Sequence, residues 1–276
     1  METLDFLLAT HLLNSVVLEE EVVPTTACHA KCWDWRVATR IVTYQRVGWV
    51  NDSFALFKSP GMHGIFPALL QEAREVLIPY LVRIFCACLA NGYLPAIWRQ
   101  VKVVFIPKLS RNSYFGPRDL RPISLTSFLL MTMERLVDRF LRDEILMLKP
   151  LHPSQHAYQT GKSVETALHQ LVVRVEKALD QHKIALGVFL DMEDTSYDSM
   201  CAALTRHGVV YQWIRANLEG QLATATLEGF SRSVVVSKGC PQGGVLSPLL
   251  WCLVVNELLA RLNEESVYSQ GYVDDI

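Results

Sequence analysis

No uninterrupted apolar stretch in the sequence is long enough to cross a bilayer. The most suspicious window, Ile78 to Trp98, is broken by Pro79, Arg83, Asn91 and Gly92, short of the roughly 18 clean apolar residues that a spanning helix requires. The N-terminus is acidic where a secretory signal would be basic, and the apolar run behind it is interrupted by His11 and Asn14. No membrane segment is expected. Charge of one sign is also lacking: 26 Lys and Arg face 28 Asp and Glu, so net charge points to no polyanionic partner. Internal repeats, low-complexity tracts and compact basic targeting runs are missing. The seven cysteines have irregular spacings, which excludes a disulfide miniprotein and fits reduced packing residues of an intracellular protein, with nucleus and cytoplasm left open. Cys28, His29 and Cys32 have the spacing to open a zinc site, but no second pair follows at a suitable distance. Gly161-Lys162-Ser163 is like the end of a phosphate loop, yet His156 stands where that loop needs its first glycine. What remains is an ordinary globular composition, 50% hydrophobic and 20% charged over 276 residues, enough for one large domain or two small ones.

Punctuation divides the chain unevenly. Residues 1–47 combine an apolar helix-like start, the acidic run Glu19-Glu20-Glu21 and a Cys/His/Trp cluster, and are expected to be a poorly specified leader; residues 48–276 are expected to form the functional domain. Phe66 to Leu89 has helical character with breaks expected near Pro67 and Pro79. Val101 to Ile106 is a β-branched run stopped by Pro107, and a polar loop follows from Ser110 to Asp119. Apolar residues then recur at Phe128, Met131, Leu136, Phe140, Ile145 and Leu148, while Glu134, Arg135, Asp138, Arg139 and Arg142 share the other face. That pattern predicts an amphipathic helix. Ser163 can cap a second helix with the stripe Val164, Leu168, Leu171, Val175 and Leu179. Ile184 to Leu190 has the near-continuous apolar character of a strand buried on both faces, and it ends at Asp191. Further strands are expected at Ser233 to Val236 and Tyr268 to Val273, with a turn at Gly239 to Pro248 and a helix at Leu249 to Leu262 between them.

The residues able to do chemistry cluster at these junctions. Tyr272-Val273-Asp274-Asp275 sets two adjacent carboxylates after a strand, where their repulsion is relieved by a divalent cation. Such ions in pairs clamp the attacking and leaving oxygens of phosphoryl transfer, and Asp191 can supply a third carboxylate. An exposed acidic turn explains the pair as readily. Gly239-Cys240-Pro241-Gln242-Gly243-Gly244 lets backbone approach a ligand and then opens an apolar helix, whose N-terminal N–H groups favour phosphate. A plain turn-to-helix junction is the alternative. Ile106-Pro107-Lys108 and Arg121-Pro122-Ile123-Ser124-Leu125 place cations on either side of a loop, as a triphosphate requires. From Arg99 to Arg142 there are nine cations against three acids, although Asp138 and Arg142 at i,i+4 also suit a solvated helix face.

Taken in order, with Lys58-Ser59-Pro60-Gly61, Phe189-Leu190-Asp191 and Leu246-Ser247-Pro248, these stretches resemble the reverse transcriptase domain of non-LTR (LINE-like) retrotransposons, above all the jockey-type elements of insects. The resemblance runs from about Trp49 to Ile276. It implies an α+β right-hand polymerase fold, with fingers and a partial palm built of an antiparallel sheet and packed helices, and with the thumb missing. It also implies copying of RNA into DNA with two Mg²⁺. Asp191, Asp274 and Asp275 would hold the metals, with the Met192 carbonyl as a further ligand; Lys108 and Arg121 would grip the triphosphate; Gln242 and Gly243 would line the nucleotide and template pocket. The partners implied are an RNA template, a DNA primer and deoxynucleoside triphosphates.

The sequence departs from that family after Asp191. About four residues are lost there, including the aromatic ring expected to reject ribonucleotides, and Tyr197 stands one position later than the usual ring. His63 replaces an expected Asp. A catalytically dead remnant that only binds nucleic acid is therefore the rival reading, and an intron-encoded relative the more distant one, against which Lys58 to Gly61 argues.

Overall fold

Short apolar strands and long amphipathic helices build two unequal cores. The computed structural model describes residues 2–12, 16–17, 34–108, 116–190, 196–202, 204 and 209–273. Its sheet contains β1 (Val16–Val17), β2 (Gln100–Pro107), β3 (Leu120–Leu125), β4 (Gln221–Leu227) and β5 (Phe230–Val236) in the order β1-β5-β4-β2-β3. β2 runs parallel to β4 while the other pairs are antiparallel, so the sheet is mixed where an antiparallel one was expected. The expected strand at Val101 to Ile106 is β2. Its partner β3 carries Pro122, which a sheet tolerates because β3 is an edge strand. β4 and β5 form a hairpin over Glu228 and Gly229, both at positive φ (50° and 84°), the combination that matches the twist of the flanking strands.

Helix α1 (Glu2–His11) buries Leu4 and Leu8 against Val103, Ala223, Ala225 and Val234 of the sheet, and Arg232 reaches Asp5 at 3.1 Å. The larger core lies among α2 (Trp35–Ile41), α3 (Tyr44–Asp52), α4 (Pro67–Glu72), α5 (Arg74–Ala90), α6 (Phe128–Phe140), α8 (Tyr197–Ala202), α9 (Val209–Leu218) and α10 (Ser247–Glu264), with Phe85, Met133 and Trp213 fully enclosed. Residue 47 falls inside α3, and Val47 is part of that core. Pro67 opens α4 as expected, but Pro79 lies within α5, and the break falls at Ala73 instead. The predicted amphipathic helix is α6, extended by a π-helical turn at Leu141–Leu146; Arg142 holds Asp138 at 3.0 Å, as the i,i+4 spacing requires. Glu134, however, is buried, not part of a solvated face.

α7 (Val164–Asp180) starts at Ser163, whose side chain accepts from Thr166 N–H while Ser163 N–H donates to Thr166 Oγ1. Its apolar stripe is only partly covered: Leu168 and Leu179 are exposed, and Ala167 alone is fully buried. The segment after it corrects the expectation of a buried strand. Residues 184–190 form no ladder, and Ile184 and Phe189 are 97% and 81% exposed. An apolar run becomes a strand only where another strand offers an edge, and none of the five strands pairs with this one. Tyr268 to Val273 likewise forms no named strand: Gly271 and Tyr272 are bridge residues, and Gly271 pairs with Gln155. Among the described residues no helix is long and apolar enough to cross a membrane.

Limited proteolysis with thermolysin is expected to cut within residues 183–190 before any site inside α5 or α6, because unpaired, exposed backbone is available without unfolding. Survival of that segment until the helical core is cut would show that it is covered in solution.

Candidate functional site

The turn at residues 239–246 is wedged between sheet and helices. Ser124 on β3 donates its N–H to the Gln242 carbonyl at 2.8 Å, and Gly244 N–H and Ser247 Oγ both bond the Pro241 carbonyl at 2.9 Å. Gly243 adopts φ 116°, and a Cβ there would lie 2.9 Å from the Ser124 carbonyl oxygen. Glycine is therefore required by both conformation and space. α10 starts at Ser247 with no side-chain cap of its own. Glu134 of α6 takes that place: its carboxylate accepts from Val245 N–H at 2.9 Å, from Leu246 N–H, and from Asn217 Nδ2 at 2.9 Å. The N–H groups at 245 and 246 are thus already held by a protein carboxylate, which removes them from the phosphate role expected of this helix start. Burial pushes the Glu134 carboxyl above its ordinary value, against the opposing pull of these donors.

Beside this turn lies a cleft of about 760 Å³. Lys108, Arg118 and Lys238 line it, together with Gln242 and Gly243, and no Asp or Glu is found among its described lining residues. β2 and β3 deliver the first two cations: Lys108 follows β2 and donates its backbone N–H to the Asp119 carbonyl at 2.9 Å, holding the 116–119 turn that carries Arg118. α1 closes that side, with His11 Nε2 2.8 Å from the Pro117 carbonyl oxygen. Tyr158, at φ 54°, and Trp251 contribute aromatic surface.

Val273 also lines the cleft, and its carbonyl accepts from Trp251 Nε1 at 2.5 Å. Two residues earlier, Gly271 donates to the Ser154 carbonyl at 3.0 Å and accepts from His156 N–H at 2.9 Å. The His156 ring is itself fixed between Thr166 Oγ1 and Gln170 Oε1, both at 3.0 Å. The chain that leads into Asp274 is thus held at Gly271 and at Val273, the second of which lines the cleft.

Of the sequence-derived candidates, Lys108, Gln242 and Gly243 come together here. Arg121 does not: it pairs with Ile106 on the exposed face, while its neighbours Pro122 and Ser124 alternate onto the cleft face. Arg118 and Lys238 line the cleft beside Lys108. In the sequence Arg118 is one cation of a basic segment, and a lone Lys before Gly239 gives no signal. Tyr197 does not line the cleft; its hydroxyl donates to the Val236 carbonyl at 3.1 Å. Asp191, Met192, Asp274 and Asp275 lie outside the described residues. Residues 184–190, which precede Asp191, are not part of the cleft wall.

Comparison with known proteins places these features in context. Residues 106–276 match the reverse transcriptase (RNA-dependent DNA polymerase) family. The chain is 24% identical over 250 residues to the RNA-directed DNA polymerase from mobile element jockey of Drosophila melanogaster, covering 85% of this chain and 27% of that protein. It is 28% identical over 224 residues to the Pol polyprotein from type-1 retrotransposable element R1 of Bradysia coprophila, covering 79% of this chain and 22% of the relative. With the polyprotein from element R2 of Popillia japonica the identity is 28% over 207 residues, 68% of this chain and 28% of the relative. The chain spans about a quarter of the length of these relatives.

Two glycine substitutions, one in the β4–β5 hairpin and one in the 239–246 turn, separate conformation from space. Gly229→Ala, in the left-handed region with no atom within 4 Å, is expected to cost about 1 kcal/mol. Gly243→Ala, which also meets the Ser124 carbonyl, is expected to cost about 3 kcal/mol in urea unfolding. Equal costs would mean that the turn is not pressed against β3.

Proposed function

Because the chain belongs to the reverse transcriptase (RNA-dependent DNA polymerase) family, we propose that its cleft is the nucleotide site of an RNA-directed DNA polymerase domain from a non-LTR retrotransposon. The observation that carries this reading is the meeting of Lys108, Arg118, Lys238 and Gln242 in one cleft that Val273 also lines, one residue before Asp274-Asp275 in the sequence. In a right-hand arrangement β2, β3 and α6 belong to the fingers, and the segments around Asp191 and Asp274 to the palm.

Three clustered cations without a lining carboxylate suit a triphosphate, whose charge they neutralise in a partly enclosed site. Asp191, Asp274 and Asp275, with the Met192 carbonyl, would supply the hard-oxygen donors for two Mg²⁺, whose charge would ease deprotonation of the primer hydroxyl and offset the charge on the leaving group. Lys108, Arg118 and Lys238 orient the β- and γ-phosphates so that the α-phosphate faces the primer 3′-hydroxyl. Attack forms the new phosphodiester bond and releases pyrophosphate. Gln242 and Gly243 present backbone and amide groups to the nucleotide and its template base. The template is RNA and the primer DNA.

One observation favours the rival reading, a remnant that binds nucleic acid without chemistry: Ile184, Leu186, Val188 and Phe189 are exposed, and none of residues 184–190 lines the cleft. Primer extension on an RNA template by the folded chain in Mg²⁺ separates the two. The proposal expects extension that Asp274→Asn lowers by ~1,000-fold or more. A chain that extends nothing, yet binds RNA without metal and with a steep salt dependence, would establish the remnant reading.

A further inference from the structure

Glu134 is the most deeply enclosed carboxylate of the described helices, and the reading of the cleft given above makes no use of it. It is 2% exposed, and none of the ion pairs among the described residues includes it. Enclosing a carboxylate without a cation is strongly unfavourable unless its oxygens are satisfied by donors. Here all the donors belong to two other elements: Asn217 of α9, and the peptide N–H groups of Val245 and Leu246 at the start of α10. The positive end of α10 adds a favourable field. These two peptides immediately follow Gln242, Gly243 and Gly244, the part of the cleft wall that also hangs on the Ser124 N–H. The turn is therefore gripped on one side by β3 and on the other by α6, and Gln242 lies between the two grips.

A second connection runs back to the cleft. Asn217, whose side-chain amide donates to Glu134, accepts through its backbone carbonyl from Gln221 Nε2 at 2.8 Å, and Gln221 is a cleft-lining residue of β4. A charged residue that helical spacing assigns to the solvated face of α6 thus joins both walls of the cleft through buried hydrogen bonds.

The geometry points to Glu134 as a positioning residue that fixes the 242–246 turn, and with it Gln242, for the incoming deoxynucleoside triphosphate. The assignment rests on the nucleotide-site reading for its functional half and on the hydrogen bonds alone for its structural half. Glu134→Gln keeps the volume and one acceptor oxygen, but turns an NH₂ group toward either Asn217 Nδ2 or Val245 N–H, so one donor loses its partner. Adding Asn217→Asp lets the amide introduced on α6 donate to the new carboxyl group while its oxygen accepts from Val245, which restores the grip; the other oxygen at position 217, buried without a partner, favours the protonated acid.

The experiment compares the 276-residue chain, E134Q and E134Q/N217D by amide hydrogen exchange and by the deoxynucleoside triphosphate dependence of primer extension. In E134Q, exchange over residues 242–247 is expected to rise about tenfold with β2 and α5 unchanged, as for a local opening. The KM for the nucleotide is expected to rise about tenfold, with kcat within about twofold. Asn217→Asp is expected to recover both. Unchanged exchange at 242–247, an equal rise throughout the chain, a fall in kcat at constant KM, or failure of the second substitution to restore the grip would overturn the assignment. A wild-type chain that extends no primer would count against the polymerase reading, and the exchange comparison alone would then decide whether Glu134 holds the turn.

Discussion

The bond from the Ser124 N–H to the Gln242 carbonyl joins the sheet to the helices, and the cleft depends on it. β3 is an edge strand, so its outer N–H and C=O groups need partners or solvent. The turn that precedes α10 takes one of them and approaches closely enough that only glycine fits at position 243. With that contact in place, Lys108 and Arg118 from the β2–β3 connection face Lys238 and Gln242 from a segment more than a hundred residues later.

Rigidity behind this contact comes from the larger core. Trp213, Phe85 and Met133 are fully enclosed, and burial of such side chains is worth roughly 1.5–3 kcal/mol each by area. The smaller core beneath α1 is a single layer, with Leu4 and Leu8 covering β2, β4 and β5. The N-terminal helix is thereby part of the cleft wall through His11, even though its sequence matches none of the motifs that follow it.

Much of this is legible in the sequence where periodicity and capping chemistry are local. α6, the Ser163 start of α7 and β2 are readable because their signals lie within a few residues of each other. β3 is obscured by Pro122, which reads as a breaker until the strand is known to be an edge. Ile184 to Leu190 resembles a buried strand because apolar runs encode burial but not a pairing partner, and here no strand supplies one. Helical spacing places Glu134 on the solvated face beside Arg135 and Asp138; only the position of Asn217 and Val245, far along the chain, makes that site an interior one. Arg121 misses the cleft by one step of strand alternation, which sends it to the face opposite Ser124. The motif order Lys108, Gln242, Gly243 nevertheless identifies three residues that the fold brings into one cleft.

The role proposed for this cleft is to receive a nucleoside triphosphate. Photo-crosslinking with an azido-substituted deoxynucleoside triphosphate in Mg²⁺, followed by peptide mapping, tests it without requiring turnover. Labelling confined to peptides containing residues 100–124 and 238–251, and displaced by unmodified deoxynucleoside triphosphate, is the result predicted. Labelling spread over the surface of α4 and α5, or undiminished by the competitor, would contradict that role.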